Sequence, residues 1–345
     1  MKFNWDHLEQ FTEIESPHSA GFSVALDVSC ACFDSDFEIV KIAKNSLVGS
    51  LESADQVEWG KGVSDMFMNW RTDVPPTMPS LLALACDHFN IADDHPFLNV
   101  ALAACVLSEM PHLNPYHNNH HFHEVVAMAI RLCATHQSMN EGTDFELNAS
   151  DILLLLTAAA IHDFDHDGQG NIMDGHHTPS RLEKRAVDQV TPFLMAAGLG
   201  QMHMDTVRAL VLTTDVSKGL EGESPSNILR AVHMAHVKGL SMPEVAQDLQ
   251  PLANDRKLAL MACLLGEADI APSTGLNYDF SQMATILVAQ ESSVLQPSAT
   301  TLYGFMRHIC QGQYMSDAAR VLMAENFTSI SLMAEQDSEE NRLYA

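Results

Sequence analysis

The sequence predicts an all-α protein, a compact bundle of many helices with a small N-terminal cap. Three observations favour this fold class. Apolar residues recur at helical spacing through most of the chain after about residue 78. Residues 151–161 form an apolar run without Gly or Pro, which is typical of a helix that is buried on all sides. With 345 residues, 46% of them hydrophobic and 18% charged, the chain can bury a sizeable core.

Residues 1–75 differ from the rest because they contain turn-rich pieces such as SPHSAG and TDVPPTMPS. In residues 21–30 apolar and polar side chains alternate weakly, so a strand or hairpin is expected there. We expect residues 1–75 to form an N-terminal subdomain or cap, followed by a helical domain at 76–333.

Helical segments follow one another through that second domain. They include MPSLLALACDHF, HPFLNVALAACVLSEM, HHFHEVVAMAIRLCATH and SRLEKRAVDQVTPFLMAAG, the last of which ends near Gly198. Pro272 follows Asp269 closely, which indicates that Asp269 lies near a helix end. Residues 334–345 are acidic and aperiodic and are expected to form a mobile tail.

A dense block of histidines, YHNNHHFHEV, occupies residues 116–125. Within it His117, His121 and Glu124 are spaced four and three residues apart, so we expect all three to share one face of a helix. Two imidazoles on one face can converge on a single point, as metal binding requires. A surface cluster of histidines is the alternative interpretation of this block taken alone.

A second block, IHDFDHDGQGN, begins at the end of the apolar helix. His162, Asp163, Asp165 and His166 stand together there, and burying four ionisable groups is costly unless they are paired or bind cations. Asp269, in the segment EAD, is a further acidic candidate. Together the two blocks and Asp269 predict a two-metal hydrolase centre.

These motifs resemble those of the class I cyclic nucleotide phosphodiesterases, a helical branch of the HD metal-dependent phosphohydrolases. The resemblance extends over roughly residues 95–310. The matching residues are Tyr116, His117, Asn118, His121, Val125, His162, Asp163, Asp165, His166, Gly168, Asn171, Ser180, Leu182, Glu183, the TTDVSK stretch at 213–218, Ala268 and Asp269. Glu124 stands where family members carry Asp, and Asp167 stands where Pro is usual.

The resemblance implies metal-dependent hydrolysis of a 3',5'-cyclic nucleotide, cAMP or cGMP, to the 5'-monophosphate. The metal ligands that it implies are His121, His162, Asp163 and Asp269. The first metal would be zinc, and Asp163 would bridge to a second metal, magnesium or manganese. The two metals would activate a water that attacks phosphorus. His117 would act as the general acid for the leaving ribose oxygen, oriented by Glu183 or a nearby carboxylate.

Further residues receive roles by the same resemblance. The residues expected to hold waters of the metals are Asp165, His166, Glu183 and Thr214. Ordinary hydrogen bonding at helix ends is the alternative for each of these four. The candidate substrate-binding residues are Tyr116, Asn118, Phe305 and Gln290.

The departures from the family pattern concern the substrate. Relatives read the purine with a Gln-x-Gly-Phe segment, and the comparable stretch here begins with Leu302 and ends with Phe305. The aromatic ring is therefore present while the amide is absent, and Gln290 or Gln296 could replace it. Other departures are Gly266 and Glu267 before the Ala-Asp pair, Lys184 and Arg185 after Leu-Glu, and Phe122 and His123 in the first block. We expect these changes to affect the choice of substrate more than hydrolysis itself.

Two alternative functions remain open at this stage. One is hydrolysis of another phosphoester by an HD-type enzyme, such as a nucleotide, a cyclic dinucleotide or a non-nucleotide phosphate. The second block is not followed by Gly-Tyr-Pro, which argues against the cyclic di-GMP branch. The other is a non-catalytic, metal-dependent protein that senses a nucleotide. The intact His117 and the four intact ligand positions argue against that function.

The formal net charge of −27, from 45 acidic and 18 basic residues, argues against binding to nucleic acid or to anionic membranes. A phosphate-containing substrate then needs local positive charge, which two bound cations would supply. The expected partner is therefore a small phosphoester, and no oligomeric state is predicted.

The seven cysteines include no CxxC pair and stand mostly in apolar helical contexts. We interpret them as reduced thiols of the core, which predicts a cytoplasmic protein. Cys30 and Cys32 could instead bind metal, although a buried strand or helix segment is the favoured interpretation of this pair. No apolar run reaches the roughly 20 residues of a membrane-spanning helix, and the N-terminus lacks the apolar stretch of a signal peptide.

Overall fold

The computed structural model describes residues 3–49, 55–73, 75–173, 176–217, 223–292 and 296–343. The helices in these ranges, numbered in chain order, are α1 (Trp5–Glu9), α2 (Ser19–Ile42), α3 (Lys44–Val48), α4 (Gln56–Thr72), α5 (Met78–His88), α6 (Leu98–Ser108), α7 (Asn119–Asn140), α8 (Ala149–Ile161), α9 (Arg181–Ala196), α10 (Gln201–Leu212), α11 (Pro225–Lys238), α12 (Gln250–Asn254), α13 (Arg256–Thr274), α14 (Tyr278–Glu291), α15 (Ala299–Gly304) and α16 (Asp317–Leu343). Short 3₁₀ turns occupy Gln10–Glu13 and Gln247–Leu249, and a π-helical turn occupies Phe305–Ile309. Two short strands, β1 (Ile172–Met173) and β2 (His176–His177), pair antiparallel with Ile172 opposite His177. The predicted all-α fold class is confirmed.

The core of the protein lies around α6, α7, α8 and α13. Helix α8 packs against α6, α7 and α10, and α13 packs against α7, α11 and α14. All residues of α8 from Ile152 to Ile161 are buried, which confirms the prediction of a fully buried helix. None of the helices within the described ranges is long and apolar enough to span a membrane.

The N-terminus of α8 is fixed by a capping box. The side chain of Asn148 accepts a hydrogen bond from the backbone N–H of Asp151 at 3.0 Å, and the Asp151 carboxylate accepts one from the N–H of Asn148 at 3.0 Å. The helix then runs through the apolar core and ends at Ile161, with His162 as its C-cap. The second polar block, which begins at the C-terminal end of α8, therefore lies in the interior of the protein.

Helix α7 begins one residue after its N-cap, Asn118. The Asn118 side-chain oxygen accepts hydrogen bonds from the backbone N–H groups of His120 at 3.0 Å and His121 at 3.4 Å. From His121 onward to His136 every residue of α7 is buried. His121 therefore stands at the point where this helix enters the core.

The prediction of a strand or hairpin at residues 21–30 is wrong, because this stretch belongs to α2. Its buried residues, Phe22, Ala25, Leu26 and Ser29, are three or four residues apart, which is the spacing of one helix face. The weak alternation of apolar and polar residues across the same stretch comes from exposed apolar residues such as Val24 and Val28. Tertiary packing of one face thus favours a helix here over the strand that the local pattern predicted.

The cysteines of α2 also differ from the expectation. Cys30 is exposed and Cys32 is half-buried, so these two are not thiols of the core. The other five cysteines are buried and free, as predicted.

The prediction that an aperiodic tail begins at residue 334 is wrong as far as Leu343, because α16 continues to that residue. Acidic residues of this segment are bound to neighbouring helices. Tyr303 donates a hydrogen bond to Glu335 at 2.6 Å, and Tyr278 donates one to Asp337 at 2.5 Å. This part of the sequence has no apolar periodicity, yet it forms a helix that side-chain hydrogen bonds stabilise.

The first helices share the core of the rest of the chain. Helix α2 packs against α5 and α6, and the ring of Phe22 lies 5.2 Å from that of Phe193 on α9, measured between centroids. The division of the chain at residue 75 and the role of residues 1–75 as a cap stay predictions.

Candidate metal centre

Two histidines and two aspartates, from α7, α13 and the residues that directly follow α8, meet at one point in the interior. The His121 Nε2 atom lies 3.2 Å from Asp269 Oδ1 and 3.6 Å from Asp163 Oδ2. The His162 Nε2 atom lies 3.0 Å from Asp163 Oδ2 and 3.5 Å from Asp269 Oδ1. One ligand atom of each residue lies within 4.8 Å of those of the other three. The structure thus brings together the four residues that the sequence predicted as metal ligands.

The orientation of His162 suits a cation. Its Nδ1 lies 2.9 Å from the carbonyl of Ala159, and because a carbonyl can only accept, Nδ1 must carry the hydrogen. In the neutral ring the lone pair of Nε2 then faces the carboxylates of Asp163 and Asp269, 3.0 and 3.5 Å away. A buried lone pair beside two carboxylates is the arrangement that a metal ion requires.

Burial and charge act in opposite directions on these groups. Burial lowers the pKa values of His121 and His162, but Asp163 and Asp269 raise both, that of His162 well above its usual range. Burial raises the pKa of Asp163, yet the imidazoles of His162, His117 and His121 lower it well below its usual range. Metal binding needs neutral imidazoles and ionised carboxylates, so a divalent cation can replace the imidazole protons in this cluster.

His117 lies beside the cluster and is held by a carboxylate, that of Glu291. Its Nδ1 is 2.7 Å from Glu291 Oε1, and the backbone N–H groups of Tyr116 and His117 each donate to Glu291 Oε2 at 3.2 Å. Its Nε2 is 3.8 Å from Asp163 Oδ2. The pKa of His117 is lowered, because burial outweighs the opposing effects of Asp163 and Glu291. Glu291 thus fixes the ring with Nε2 turned towards the metal cluster.

A second possible cation site adjoins the first. His117, Asp163 and His166 offer ligand atoms that lie within 4.8 Å of one another. The rings of His117 and His166 stack with centroids 4.0 Å apart, and His166 Nδ1 lies 3.1 Å from Glu291 Oε1. Asp163 belongs to both groups and is therefore the residue that two cations could share.

A cavity of about 470 Å³ opens beside these groups. His117, Asp269 and Tyr116 contribute to its lining. The apolar part of the lining consists of Val216, Ile270, Val288, Leu302, Phe305 and Ile309. A volume of this size, with mostly apolar walls and a few polar groups, is typical of a small-molecule site.

Comparisons with solved structures give matches to this fold. No protein-family model matches the sequence, and the search of curated proteins gives no match. Among solved structures, Leishmania PDEB1 in complex with IBMX is similar with a TM-score of 0.58 and 16% identity, over 80% of this chain and 91% of that chain. The phosphodiesterase domain of the RhoPDE fusion protein from the choanoflagellate Salpingoeca rosetta is similar with a TM-score of 0.54 and 16% identity, over 88% of this chain and 99% of that chain. The chain has the fold of a class I cyclic nucleotide phosphodiesterase catalytic domain.

Within this phosphodiesterase fold, the expectation that His117, His121 and Glu124 share a helix face is wrong. His117 precedes the N-cap of α7 and is not part of the helix. Glu124 belongs to neither cation group and accepts two hydrogen bonds from Arg71 of α4, at 2.7 and 2.9 Å. The histidines nevertheless converge, because the turn before α7 brings His117 back towards His121, with ring centroids 5.7 Å apart.

Glu291 was missed by the sequence reasoning, which named Glu183 or a nearby carboxylate as the group that orients His117 and named Gln290 only as a substrate-binding candidate. Gln290 is exposed and does not belong to the cavity lining, whereas Glu291 binds His117. A single acidic residue at the end of an ordinary helix, 174 residues away from its partner, carries no local signal.

The other predicted polar residues lie at different distances from the cluster. Asp165 binds Arg185 at 2.7 and 2.8 Å and has a left-handed backbone with φ of 58°. Glu183 accepts a hydrogen bond from Asn171 at 3.1 Å, and burial, then Asp215, raises its pKa well above the usual range. These contacts are with neighbouring protein side chains. A role of Asp165 or Glu183 in holding waters of the metals therefore stays a prediction.

The remaining candidates divide between helix ends and the cavity. Thr214 donates to the carbonyl of Val211 at 2.9 Å, and Asn118 caps α7, so both make the ordinary bonds of helix ends. Tyr116 and Phe305 line the cavity, as a substrate site would require. Leu302, which the resemblance places where a purine-reading glutamine is expected, is a buried part of the same lining.

Proposed function

We propose that this protein is a metal-dependent phosphodiesterase that hydrolyses a 3',5'-cyclic nucleotide to the 5'-monophosphate. The observation that carries this proposal is the His121, His162, Asp163 and Asp269 cluster, which opens onto the cavity next to the His117–Glu291 pair. The fold shared with two phosphodiesterases supports it independently.

The donor set fits two divalent cations. Two imidazoles with two carboxylates suit zinc, and a neighbouring cation that shares Asp163 and is otherwise held mostly by water suits magnesium or manganese, which leaves Nε2 of His117 free to carry a proton. When bound, such cations supply positive charge for the phosphate oxygens and lower the pKa of water. That charge is needed locally, because the protein as a whole carries a formal net charge of −27.

His117 is proposed as the proton donor to the leaving ribose oxygen. Glu291 accepts the hydrogen of Nδ1, which directs Nε2 towards the reacting phosphate and stabilises the positive charge of the imidazolium. After transfer of the Nε2 proton the ring remains bound to Glu291 through Nδ1 and is ready to be reprotonated. Phe305 and the apolar walls of the cavity would hold the base and the sugar of the substrate.

Hydrolysis of another phosphoester is the second candidate function. Leu302 is an apolar, buried residue at the position where the purine-reading amide is expected, and this observation favours a different substrate. A non-catalytic sensor would not need a histidine held by a carboxylate beside the metal cluster, so the His117–Glu291 pair argues against that function.

The decisive test is chromatography of products after incubation with cAMP or cGMP. Purified protein is incubated with each nucleotide in manganese or magnesium, with a chelator in the control. We expect 5'-monophosphate that forms only in the presence of metal. Absence of product with two metals bound per chain would reject the cyclic nucleotide and lead to a panel of other phosphoesters.

A further inference from the structure

We propose that His308 recognises the nucleobase by donating a hydrogen bond to N7 of a purine. This inference rests on the proposed function and identifies the residue that selects the base within the same site. His308 is an exposed residue of the π-helical turn Phe305–Ile309, and it lines the cavity beside the metal centre. π-Helical turns are rare and are frequently found at functional sites.

The lining of the cavity offers apolar contacts to the flat faces of a nucleobase and few polar contacts to its edges. The ring of Phe305 and the aliphatic side chains of Ile270, Val288, Leu302 and Ile309 present apolar surface, against which an aromatic base can pack. The polar edge of the base loses its bonds to water in such a place unless a side chain replaces them. A polar side chain of the lining that replaces these bonds would therefore favour the bases that it can reach.

Most polar side chains of the lining are already engaged. Tyr116 and Ser273 hydrogen bond with each other at 3.1 Å, and Thr285 and Thr301 each donate to a backbone carbonyl, at 2.8 and 2.7 Å. His117 and Asp269 belong to the metal centre. Among the described lining residues with polar side chains, His308 is the one without a hydrogen bond.

The chemistry of imidazole then indicates which bases are accepted. A neutral imidazole has one N–H donor and one acceptor nitrogen. Adenine and guanine both present N7 as an acceptor, whereas the neighbouring group is a donor in adenine and an acceptor in guanine. A single N–H donor aimed at N7 can therefore form a hydrogen bond with either purine. A pyrimidine has no N7 and cannot accept this bond. We expect selection of purines over pyrimidines with little discrimination between adenine and guanine.

Binding of the 5'-monophosphates tests this inference without any need for turnover. AMP, GMP, CMP and 7-deaza-AMP, which lacks the N7 acceptor, are titrated into the purified protein in manganese and followed by calorimetry. AMP and GMP should bind with Kd values within about threefold of each other. CMP and 7-deaza-AMP should bind roughly 3–10-fold more weakly than AMP, which is the effect of losing one neutral hydrogen bond. Absence of hydrolysis in the chromatography experiment would reject the proposed function while leaving these affinities measurable.

Variants assign the effect to His308. In His308→Ala the Kd of AMP should rise roughly 3–10-fold, and the difference between AMP and 7-deaza-AMP should disappear. His308→Asn, which keeps a donor, should retain part of that difference. Arg307→Ala is the matched control, because Arg307 is exposed on the same turn and is not part of the lining, and it should retain the whole difference. Equal binding of AMP and 7-deaza-AMP to the unmodified protein, a difference that survives in His308→Ala, or no binding of AMP at all would each overturn the inference.

Discussion

At the scale of single residues, one carboxylate holds both imidazoles that face the metal cluster. Glu291 Oε1 lies 2.7 Å from Nδ1 of His117 and 3.1 Å from Nδ1 of His166. Burial raises the pKa of Glu291, but the neighbouring His117 and His166 outweigh it and lower the pKa well below the usual range. Glu291 is therefore ionised at neutral pH and can stabilise a protonated His117.

Replacing Glu291 by glutamine should slow the protonation of the leaving group. The Glu291→Gln side chain can still accept the hydrogen of Nδ1, but it no longer offers a negative charge to the imidazolium. We expect kcat for cAMP to fall roughly 10–100-fold, near the lower end of what general acid catalysis contributes. Initial rates under saturating metal and substrate measure this change.

The nature of the leaving group separates proton donation from a loss of structure. Bis(p-nitrophenyl) phosphate releases p-nitrophenolate, which departs without being protonated. The Glu291→Gln variant should therefore lose much less activity on this ester than on cAMP. An equal loss on the two substrates would show that Glu291 acts on the metals or on the fold instead.

The metal ligands were predictable from the sequence because of their chemistry, whereas the role of Glu291 follows only from its position in the fold. His121, His162 and Asp163 occur in short blocks whose density of ionisable groups is improbable inside a helical core without a cation. Glu291 is one of 45 acidic residues and is the last residue of an ordinary helix, α14. Only the packing of α14 beside the turn that precedes α7 gives it a function.

At the scale of secondary structure, the first turn of α7 positions a metal ligand. Asn118 caps this helix through the N–H groups of His120 and His121. Asn118→Ala should lower the free energy of unfolding by about 1 kcal/mol, the usual loss for an N-cap, as measured by urea denaturation. Asn118→Asp keeps the accepting oxygen and should lose much less. If the unmodified protein and both variants were equally stable, the N-cap would not stabilise α7. Asn118 would then be considered again as a substrate-binding residue.

A buried ion pair joins α4 to α7. Glu124 is 1% exposed in its side chain and accepts both hydrogen bonds of Arg71, whose side chain is 12% exposed. Removing the cation alone, in Arg71→Met, leaves a buried carboxylate without a partner and should cost roughly 3–5 kcal/mol of stability. The double variant Arg71→Met with Glu124→Leu should recover most of that loss in the same urea denaturation. If the single and double variants were equally unstable, packing around Arg71 would be the cause rather than charge.

Helices were predictable where a pattern in the sequence and the packing agree. In α8 a capping box and an unbroken apolar run both indicate the observed helix. In α2 the exposed side chains of Val24 and Val28 obscure the buried face, so the local pattern suggested a strand. In the last part of α16 the residues that fix the helix, Glu335 and Asp337, are polar and bind tyrosines of distant segments. A single sequence does not contain such long-range partners.

At the scale of the whole molecule, the metal centre concentrates negative charge in a protein that is already acidic. The cluster places the carboxylates of Asp163 and Asp269 inside a chain with a formal net charge of −27. Cations that bind only to the folded state stabilise it in proportion to the logarithm of their free concentration. Metal binding and folding should therefore be coupled in this protein.

Thermal unfolding in the presence of manganese or zinc measures that coupling. At a free metal concentration 100 times Kd the folded state should gain about 2.7 kcal/mol, and Tm should rise by several degrees and fall again when a chelator is added. Asp163→Asn should lose most of this response, because the shared ligand no longer carries a charge. Asp167→Asn is the matched control: this nearby carboxylate, whose pKa the hydrogen bonds from Arg181 lower to about 2, lies outside both cation groups, so its loss should leave the metal response intact. If metal raised Tm equally in both variants, the stabilising cations would bind elsewhere on the acidic surface, and the two-cation assignment at Asp163 would have to be abandoned.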